Sequence, residues 1–158
     1  MEEVTEMGKR LGFLLALSVL FFILDVSPGQ SLDLITREEA RQPAVPLLRG
    51  MECTRSEGEG PQVKIVSPRL DGPLHMPLAI DIVFEAASNK IIDYDSLRLK
   101  YLKLISIDLT DRVKPYLKNN RLMVRDVKVP QGRHCLQLSI GYTSGEETLM
   151  EIFLNVMK

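Results

Sequence analysis

The residue types best suited to chemistry in this chain meet where His134 is followed directly by Cys135, in the stretch VPQGRHCLQLSIGY. The chain has only two histidines and two cysteines, the others being His75 and Cys53. A zinc or thiol site needs about three converging ligands, commonly with two of them a few residues apart. The four residues are too few and too far apart in sequence to meet this requirement. We therefore predict no metal ligand, no cofactor and no catalytic residue at this pair.

The pattern around the pair predicts a structural role instead. Leu136, Leu138 and Ile140 alternate with polar or small residues, as along a half-buried strand. Because neighbouring side chains on a strand point to opposite faces, His134 is expected to face the core and Cys135 the outer surface. The stretch is therefore predicted to hold two separate structural residues rather than one reactive couple.

Two acidic pairs are the next candidates for chemistry. Asp93 and Asp95 flank a tyrosine, and Asp108 precedes Asp111 by one helical turn. Carboxylates bind calcium, and paired carboxylates hydrolyse glycosides, but the sequence lacks the D-x-D-x-D-G calcium loop with its later glutamate. Turns commonly use aspartate as well. We therefore predict that these residues form turns.

Three basic residues, Arg98, Lys100 and Lys103, lie on the polar side of a predicted third strand. Such residues form either a solvated face that discourages edge pairing or a docking patch for an acidic partner. In the last predicted strand, Leu149 and Phe153 lie opposite the inward residues and would expose apolar surface that a partner could cover. The three basic residues are the predicted partner-docking residues.

Composition limits the functional classes. The chain has 158 residues, 45% of them hydrophobic and 26% charged, which suits one globular domain better than two. Lys and Arg number 20 against 21 Asp and Glu, for a formal charge of -1. Because such a chain has no strong positive field, we predict no nucleic-acid partner.

Residues 1–29 are typical of a signal peptide. A basic pair precedes an uncharged apolar run from Leu11 to Leu24, which spans roughly 21 Å as a helix, whereas a bilayer core is about 30 Å thick. Small residues favour cleavage after Gly29 or two residues later, and a retained membrane anchor is the alternative. Met7 is the alternative start to Met1, because the acidic residues between them are unusual in a signal peptide. We predict export to the periplasm or the extracellular space, with membrane contact only through an uncleaved signal.

Residues 30–60 are predicted to form an extended, partly disordered arm. Thr36 and Glu39 match a helix capping box and Pro43 ends the helix, while the prolines, glycines and charges that follow show no period. Residues 61–158 then alternate between short apolar runs and turn residues, which indicates strands. The predicted strands cover 62–66, 78–85, 96–107, 121–129, 134–142 and 148–156.

This pattern predicts an all-β domain, an antiparallel two-sheet sandwich of about seven strands, with an open barrel as the alternative. The third strand slips by one residue near Tyr101, where we expect a bulge or bend that keeps Leu102 and Leu104 inward. Residues 108–120 are the segment predicted to form a helical turn, which ends before Pro115.

Three motifs make residues 61–158 resemble bacterial immunoglobulin-like domains: IVSP at the first strand, DYDSLRLKYLK entering the third, and VPQGRHCLQLSI before the penultimate strand. The likeness extends to small exported proteins with a signal peptide, a short arm and one such domain. It implies an immunoglobulin-like sandwich and export, and it brings no catalytic residue. It also implies that His134 occupies the structural corner where an aromatic side chain binds the turn backbone.

The resemblance also bears on the cysteines. Immunoglobulin domains that carry a disulfide link the second and penultimate strands, but the second strand here, LAIDIVFE, has no cysteine. A bridge between Cys53 and Cys135 would instead fasten the arm to the outer face of the sheet, stabilising the fold by about 4 kcal/mol in the loop-entropy model. Free or intermolecular thiols are the alternatives.

These features predict a non-catalytic binding module of the bacterial envelope rather than an enzyme. Its partner would be another envelope protein, its own arm or a second copy of the chain. The alternative is an accessory module for carbohydrate or for an enzyme complex. The carbohydrate version requires Phe153 and the tyrosines to line one groove, because sugars stack on aromatic rings.

Overall fold

The computed structural model describes residues 31–44 and 54–158, and Ser31–Lys158 forms one compact unit. The strands are β1 (Leu32–Asp33), β2 (Thr54–Gly58), β3 (Gln62–Ser67), β4 (Leu78–Glu85), β5 (Ile92–Tyr101), β6 (Ile107–Asp108), β7 (Leu117–Lys118), β8 (Arg121–Lys128), β9 (Gly132–Tyr142) and β10 (Glu147–Val156). The helices are α1 (Arg37–Arg41) and α2 (Thr110–Val113), and a 3-10 turn at Lys114–Tyr116 follows α2.

The strands form two sheets around one hydrophobic core. Sheet A has the order β1–β8–β4–β3 with β7 beside β8, and sheet B has the order β2–β10–β9–β5–β6. Neighbouring strands of the described residues are antiparallel, except that β1 runs parallel to β8. The predicted all-β, antiparallel two-sheet sandwich is confirmed.

Alternation of apolar residues sets the position of each strand over the core. The buried side chains of the two central strands are Leu78, Ile80, Ile82 and Phe84 in β4, and Leu136, Leu138 and Ile140 in β9. Burying each of them stabilises the fold by about 1.5–3 kcal/mol. β4 has the bounds predicted from the sequence because its alternation is unbroken.

The second half of the predicted third strand is corrected. β5 ends at Tyr101, and the chain continues as a loop in which Leu104 is 66% exposed, so its predicted inward position is wrong. Leu102 N donates to the Cys135 carbonyl oxygen over 2.9 Å, and Leu104 N donates to the Pro43 carbonyl oxygen over 3.0 Å. The loop backbone therefore pairs first with β9 and then with the N-terminal segment. These contacts satisfy backbone N–H groups that a longer β5 would have paired with another strand.

The predicted arm is also corrected, because its first part belongs to the sandwich. Leu34 and Ile35 are 0% and 2% exposed, and Leu34 N donates to the Lys128 carbonyl oxygen over 3.0 Å. Residues 54–58, predicted as linker, form β2 on the edge of sheet B. A run of two or three apolar residues is too short to show a period, so the sequence placed the start of the domain too late. Residues 31–44 are called the N-terminal arm below.

The capping box predicted in the N-terminal arm is present. Thr36 N donates to Glu39 Oε2 over 2.8 Å, and Glu39 N donates to Thr36 Oγ1 over 3.2 Å. The helical turn predicted within 108–120 is α2 with its 3-10 turn. The predicted signal peptide and Cys53 lie outside the described residues.

Candidate functional site

His134 lies inside the sandwich at the start of β9, with 3% of its surface exposed. Its Nε2 is 2.8 Å from the Pro130 carbonyl oxygen and its Nδ1 is 2.8 Å from the Tyr101 hydroxyl. Because a carbonyl only accepts, Nε2 carries the proton and Nδ1 accepts from the hydroxyl. Burial lowers the pKa of His134 and raises the pKa of Tyr101 to about 12. The neutral ring thus links the turn before β9 to β5.

Cys135 lies on the other side of β9 and is only 7% exposed. Phe153 of β10 is its register partner, and Leu102 is hydrogen-bonded to it on the opposite side. The thiol is therefore buried although it faces away from the core. Cys53 lies outside the described residues; Thr54, which follows it, begins β2, and β10 lies between β2 and β9.

Lys103 is corrected from a solvated strand residue to a buried anchor. It follows the end of β5, is 7% exposed, and donates from Nζ to the carbonyl oxygens of Ala40 and Gln42 over 2.8 and 2.9 Å. Its ammonium also lies 4.9 Å from the centre of the Tyr101 ring. Burial lowers the pKa of Lys103. Lys103 therefore binds the N-terminal arm of its own chain.

Arg112 of α2 is a second anchor, which sequence reasoning missed. Its Nη1 and Nη2 donate to the two carboxylate oxygens of Glu39 over 2.9 and 2.6 Å, and Nη1 also donates to the Leu34 carbonyl oxygen over 2.8 Å. Such bidentate pairs are stronger than neutral hydrogen bonds. The hydrogen bond from Arg112 is the main cause that lowers the pKa of Glu39 to about 2. The sequence signal was the capping-box glutamate, whose second partner could not be inferred.

We call Lys103 and Arg112 the arm clasp. The Tyr101 ring lies next to the Lys103 ammonium, and His134 is hydrogen-bonded to the Tyr101 hydroxyl. No buried side-chain nitrogen or oxygen of the described residues lacks a hydrogen bond. The polar side chains of the arm clasp hold the N-terminal arm in place.

Arg98 and Lys100 are exposed on the outer side of β5, unlike Lys103. The Arg98 Nη1 donates to the carbonyl oxygens of Asp95 and Leu97, each over 2.7 Å. These acceptors are neutral, and the guanidinium also interacts electrostatically with Asp108. Of the three predicted docking residues, Arg98 and Lys100 remain at the surface.

The middle of the outer face of sheet B presents three rows of residues in register. The rows are Leu102, Cys135 and Phe153; then Asp108, Lys100, Gln137 and Glu151; then Arg98, Ser139, Leu149 and Glu57. Leu149 and Phe153 are half-buried. The Arg133 guanidinium lies 5.0 Å from the centre of the Phe153 ring, a cation–π contact. The face therefore combines apolar and charged side chains.

The acidic pairs do not converge on one point. Asp93 Oδ1 accepts from Asp95 N over 3.0 Å, and Asp108 Oδ1 accepts from Thr110 N over 2.8 Å. Both contacts are local ones of the kind aspartate makes in turns, but the predicted turns are corrected: Asp93 and Asp95 lie in β5, which begins at Ile92, and Asp108 lies in β6. Across 31–44 and 54–158, no three histidine, cysteine, aspartate or glutamate residues lie close enough to hold a metal ion.

The aromatic residues do not share a groove. Tyr94 lines a hollow of about 600 Å³ with Ile91 and polar neighbours, and Phe153 is not among the lining residues. Tyr101 and Tyr142 are buried, at 1% and 4% exposure. Phe153, Tyr94, Tyr101 and Tyr142 therefore do not line one groove.

Within the part of the chain that the structure describes, no helix is both long and apolar enough to cross a membrane. Comparison with known proteins gives no significant match to a protein family, to a curated protein or to a solved structure.

Proposed function

We propose that this protein is an exported, non-catalytic interaction module of the bacterial envelope, an immunoglobulin-like sandwich that binds another protein molecule through the outer face of sheet B. The observation that carries the proposal is the composition of that face. Apolar Leu102 and Phe153 lie beside charged Arg98, Lys100 and Glu151, and these three form no salt bridge with any side chain that the structure describes. Aromatic and arginine side chains within a polar surround are typical of protein interfaces.

The strand order supports the immunoglobulin-like part of the proposal. β3, β4 and β8 are neighbours in sheet A, and β5, β9 and β10 are neighbours in sheet B. Immunoglobulin-type sandwiches have strands A, B and E in one sheet and C, F and G in the other. The two arrangements agree if β3 is strand A. His134 then begins strand F, with its hydrogen bond to Pro130 at the corner before that strand.

The arm clasp supports binding rather than catalysis. Lys103 and Arg112 are both engaged by the N-terminal arm, and Tyr101 and His134 are engaged with each other. The titratable groups that come together are thus used to hold chain segments. The predicted signal peptide over 1–29 supports export.

Photo-cross-linking in producing cells tests the proposal. A photoreactive phenylalanine analogue would replace Gln137, at the centre of the outer face of sheet B. Met123, which is 40% exposed on the outer side of sheet A, is the matched control position. We expect a defined protein adduct from position 137 and only background from position 123, with the second protein identified by mass spectrometry.

Charge reversal makes this test specific. Arg98→Glu with Lys100→Glu should abolish the adduct, because both cations lie on the docking face. Lys118→Glu with Arg125→Glu makes the same change in charge on exposed residues of sheet A and should leave it intact. Equal adducts from positions 137 and 123, or an adduct that survives the first reversal, would contradict the proposal.

A further inference from the structure

One row of the outer face of sheet B has a charge pattern that reverses between its two sides. It reads Asp108, Lys100, Gln137 and Glu151, in continuous register across β6, β5, β9 and β10. From Asp108 to Glu151 the charges run negative, positive, neutral, negative. A half-turn about the strand direction through Gln137 places Lys100 of one copy opposite Glu151 of the other.

The two inner charges of this row lie apart from each other, and Lys100 interacts electrostatically with Asp108, its register partner on the outer side. Lys100 and Glu151 are separated by β9, about 9.6 Å at two strand spacings of about 4.8 Å. This separation is comparable to the screening length of about 8–10 Å at physiological salt, so their mutual attraction is weak. Among the side chains that the structure describes, neither residue has an oppositely charged group within the 4 Å of a salt bridge.

The flanking row of Leu102, Cys135 and Phe153 fits the same half-turn. It places apolar Leu102 of one copy against apolar Phe153 of the other, with Cys135 between them near the axis. In the third row it places Arg98 against Leu149, which lies in register beside Glu57. Arg133 also belongs to β9, but its guanidinium lies over Phe153 on the neighbouring strand and thus away from the axis.

We propose that a second copy of this chain occupies the outer face of sheet B, related by a two-fold axis along β9 that pairs Lys100 of each copy with Glu151 of the other. The inference rests on the proposed function, whose docking face it uses and whose partner it names. A two-fold dimer requires a self-complementary patch, and packed sheets keep their strands nearly aligned. An axis across the strands would instead bring Lys100 of both copies together. Charge therefore selects one of the two orientations.

The dimer is expected to be weak because the face is small. Five strands at about 4.8 Å and five residues at about 3.4 Å cover roughly 24 by 17 Å, or about 400 Å². A standard interface buries about 800 Å² per partner. Association should therefore be measured up to about 1 mM, where weak complexes with that buried area are populated.

Sedimentation equilibrium of residues 31–158 and of the full chain, with charge variants, tests the proposal. Lys100→Glu and Glu151→Lys should each weaken dimerisation at least about tenfold, because each places like charges together at two symmetry-related contacts. The double variant Lys100→Glu/Glu151→Lys should restore it, since the exchanged charges again face opposite ones. Lys118→Glu on sheet A should leave the dimerisation constant unchanged.

The outcomes separate this inference from the proposed function. A chain that stays monomeric up to about 1 mM overturns the dimer. So do single variants that dimerise like the wild type, or a double variant that remains as weak as the singles although its circular dichroism spectrum is native. A position 137 adduct with a different protein, in a chain that does not dimerise, overturns the dimer and leaves the proposed function standing. If a different protein were the partner, the double variant would not restore binding, because the charges on that protein are unchanged.

Discussion

Individual polar residues in this protein hold the chain to itself. His134 and Cys135, adjacent in sequence, lie on opposite sides of β9: the imidazole joins Pro130 to Tyr101, and the Cys135 backbone lies between those of Phe153 and Leu102. Alternation along a strand separates the pair, so they do not act together as a reactive couple.

Lys103 is buried against the N-terminal arm whereas Lys100 is exposed, and this difference gives a prediction at the residue scale. Lys103→Met removes the two hydrogen bonds to the end of α1, and bonds from a charged group are worth about 1.5–3 kcal/mol. Local opening of the N-terminal arm should rise about ten- to hundredfold. Limited trypsin digestion at Arg37 and Arg41 measures that opening.

Lys100→Met is the matched control, because it makes the same chemical change on the exposed side of β5. Its arm should be cut at the wild-type rate. Equal cleavage rates for the Lys103 variant and the wild type would show that Lys103 does not hold the arm.

The sequence could predict which way residues face, but it could not predict the arm clasp. Alternation in β9 depends only on neighbouring residues, and it predicted the inward position of His134. The partners of Lys103 and Arg112 are 61 to 78 residues away, so the clasp appears only once the chain is folded. Lys103 was also misplaced because the apolar pattern continues past Tyr101, whereas the strand does not.

Among the elements, the passage from β2 in sheet B to β3 in sheet A depends on two glycines. Gly58 has a φ of +108°, which side chains rarely adopt, and a Cβ on Gly60 would lie 2.3 Å from Thr148 N. Both glycines are pressed against the backbone at the start of β10. The chain can change sheets here because neither residue has a side chain.

Gly60→Ala should therefore destabilise the protein by about 2–4 kcal/mol, because the obstructing atoms are backbone and cannot rotate away. Chemical denaturation measures the loss, and amide hydrogen exchange should locate it in β2. Gly72→Ala is the control: a Cβ there meets nothing within 4 Å, and its effect should stay within about 0.5 kcal/mol. Equal stabilities of the two variants would refute this role for Gly60.

Elements with a long, unbroken alternation were predictable and short ones were not. β4 was predicted with its observed bounds, and β8, β9 and β10 to within about two residues. β1 and β2 were missed, because one has two residues and the other, TRSEG, is polar and sits on a sheet edge. Edge strands gain their stability from pairing rather than from an apolar face, so their sequences carry little strand signal.

At the scale of the whole molecule, one side of sheet B faces the core and the other presents rows of charged and apolar residues. The arm clasp holds the N-terminal arm against the sandwich. The outer face of sheet B is the surface proposed for a partner. The order of charges across Lys100, Gln137 and Glu151 makes a second copy a matching partner.

Zero-length carbodiimide cross-linking of a mixture of ¹⁴N- and ¹⁵N-labelled protein tests this central claim most directly. The reagent joins an ammonium to a carboxylate only in direct contact, and β9 keeps Lys100 and Glu151 of one copy apart. We predict a Lys100–Glu151 peptide pair in which one peptide carries each isotope. Cross-links that join only peptides of the same isotope, or mixed pairs that map only to sheet A, would contradict the account.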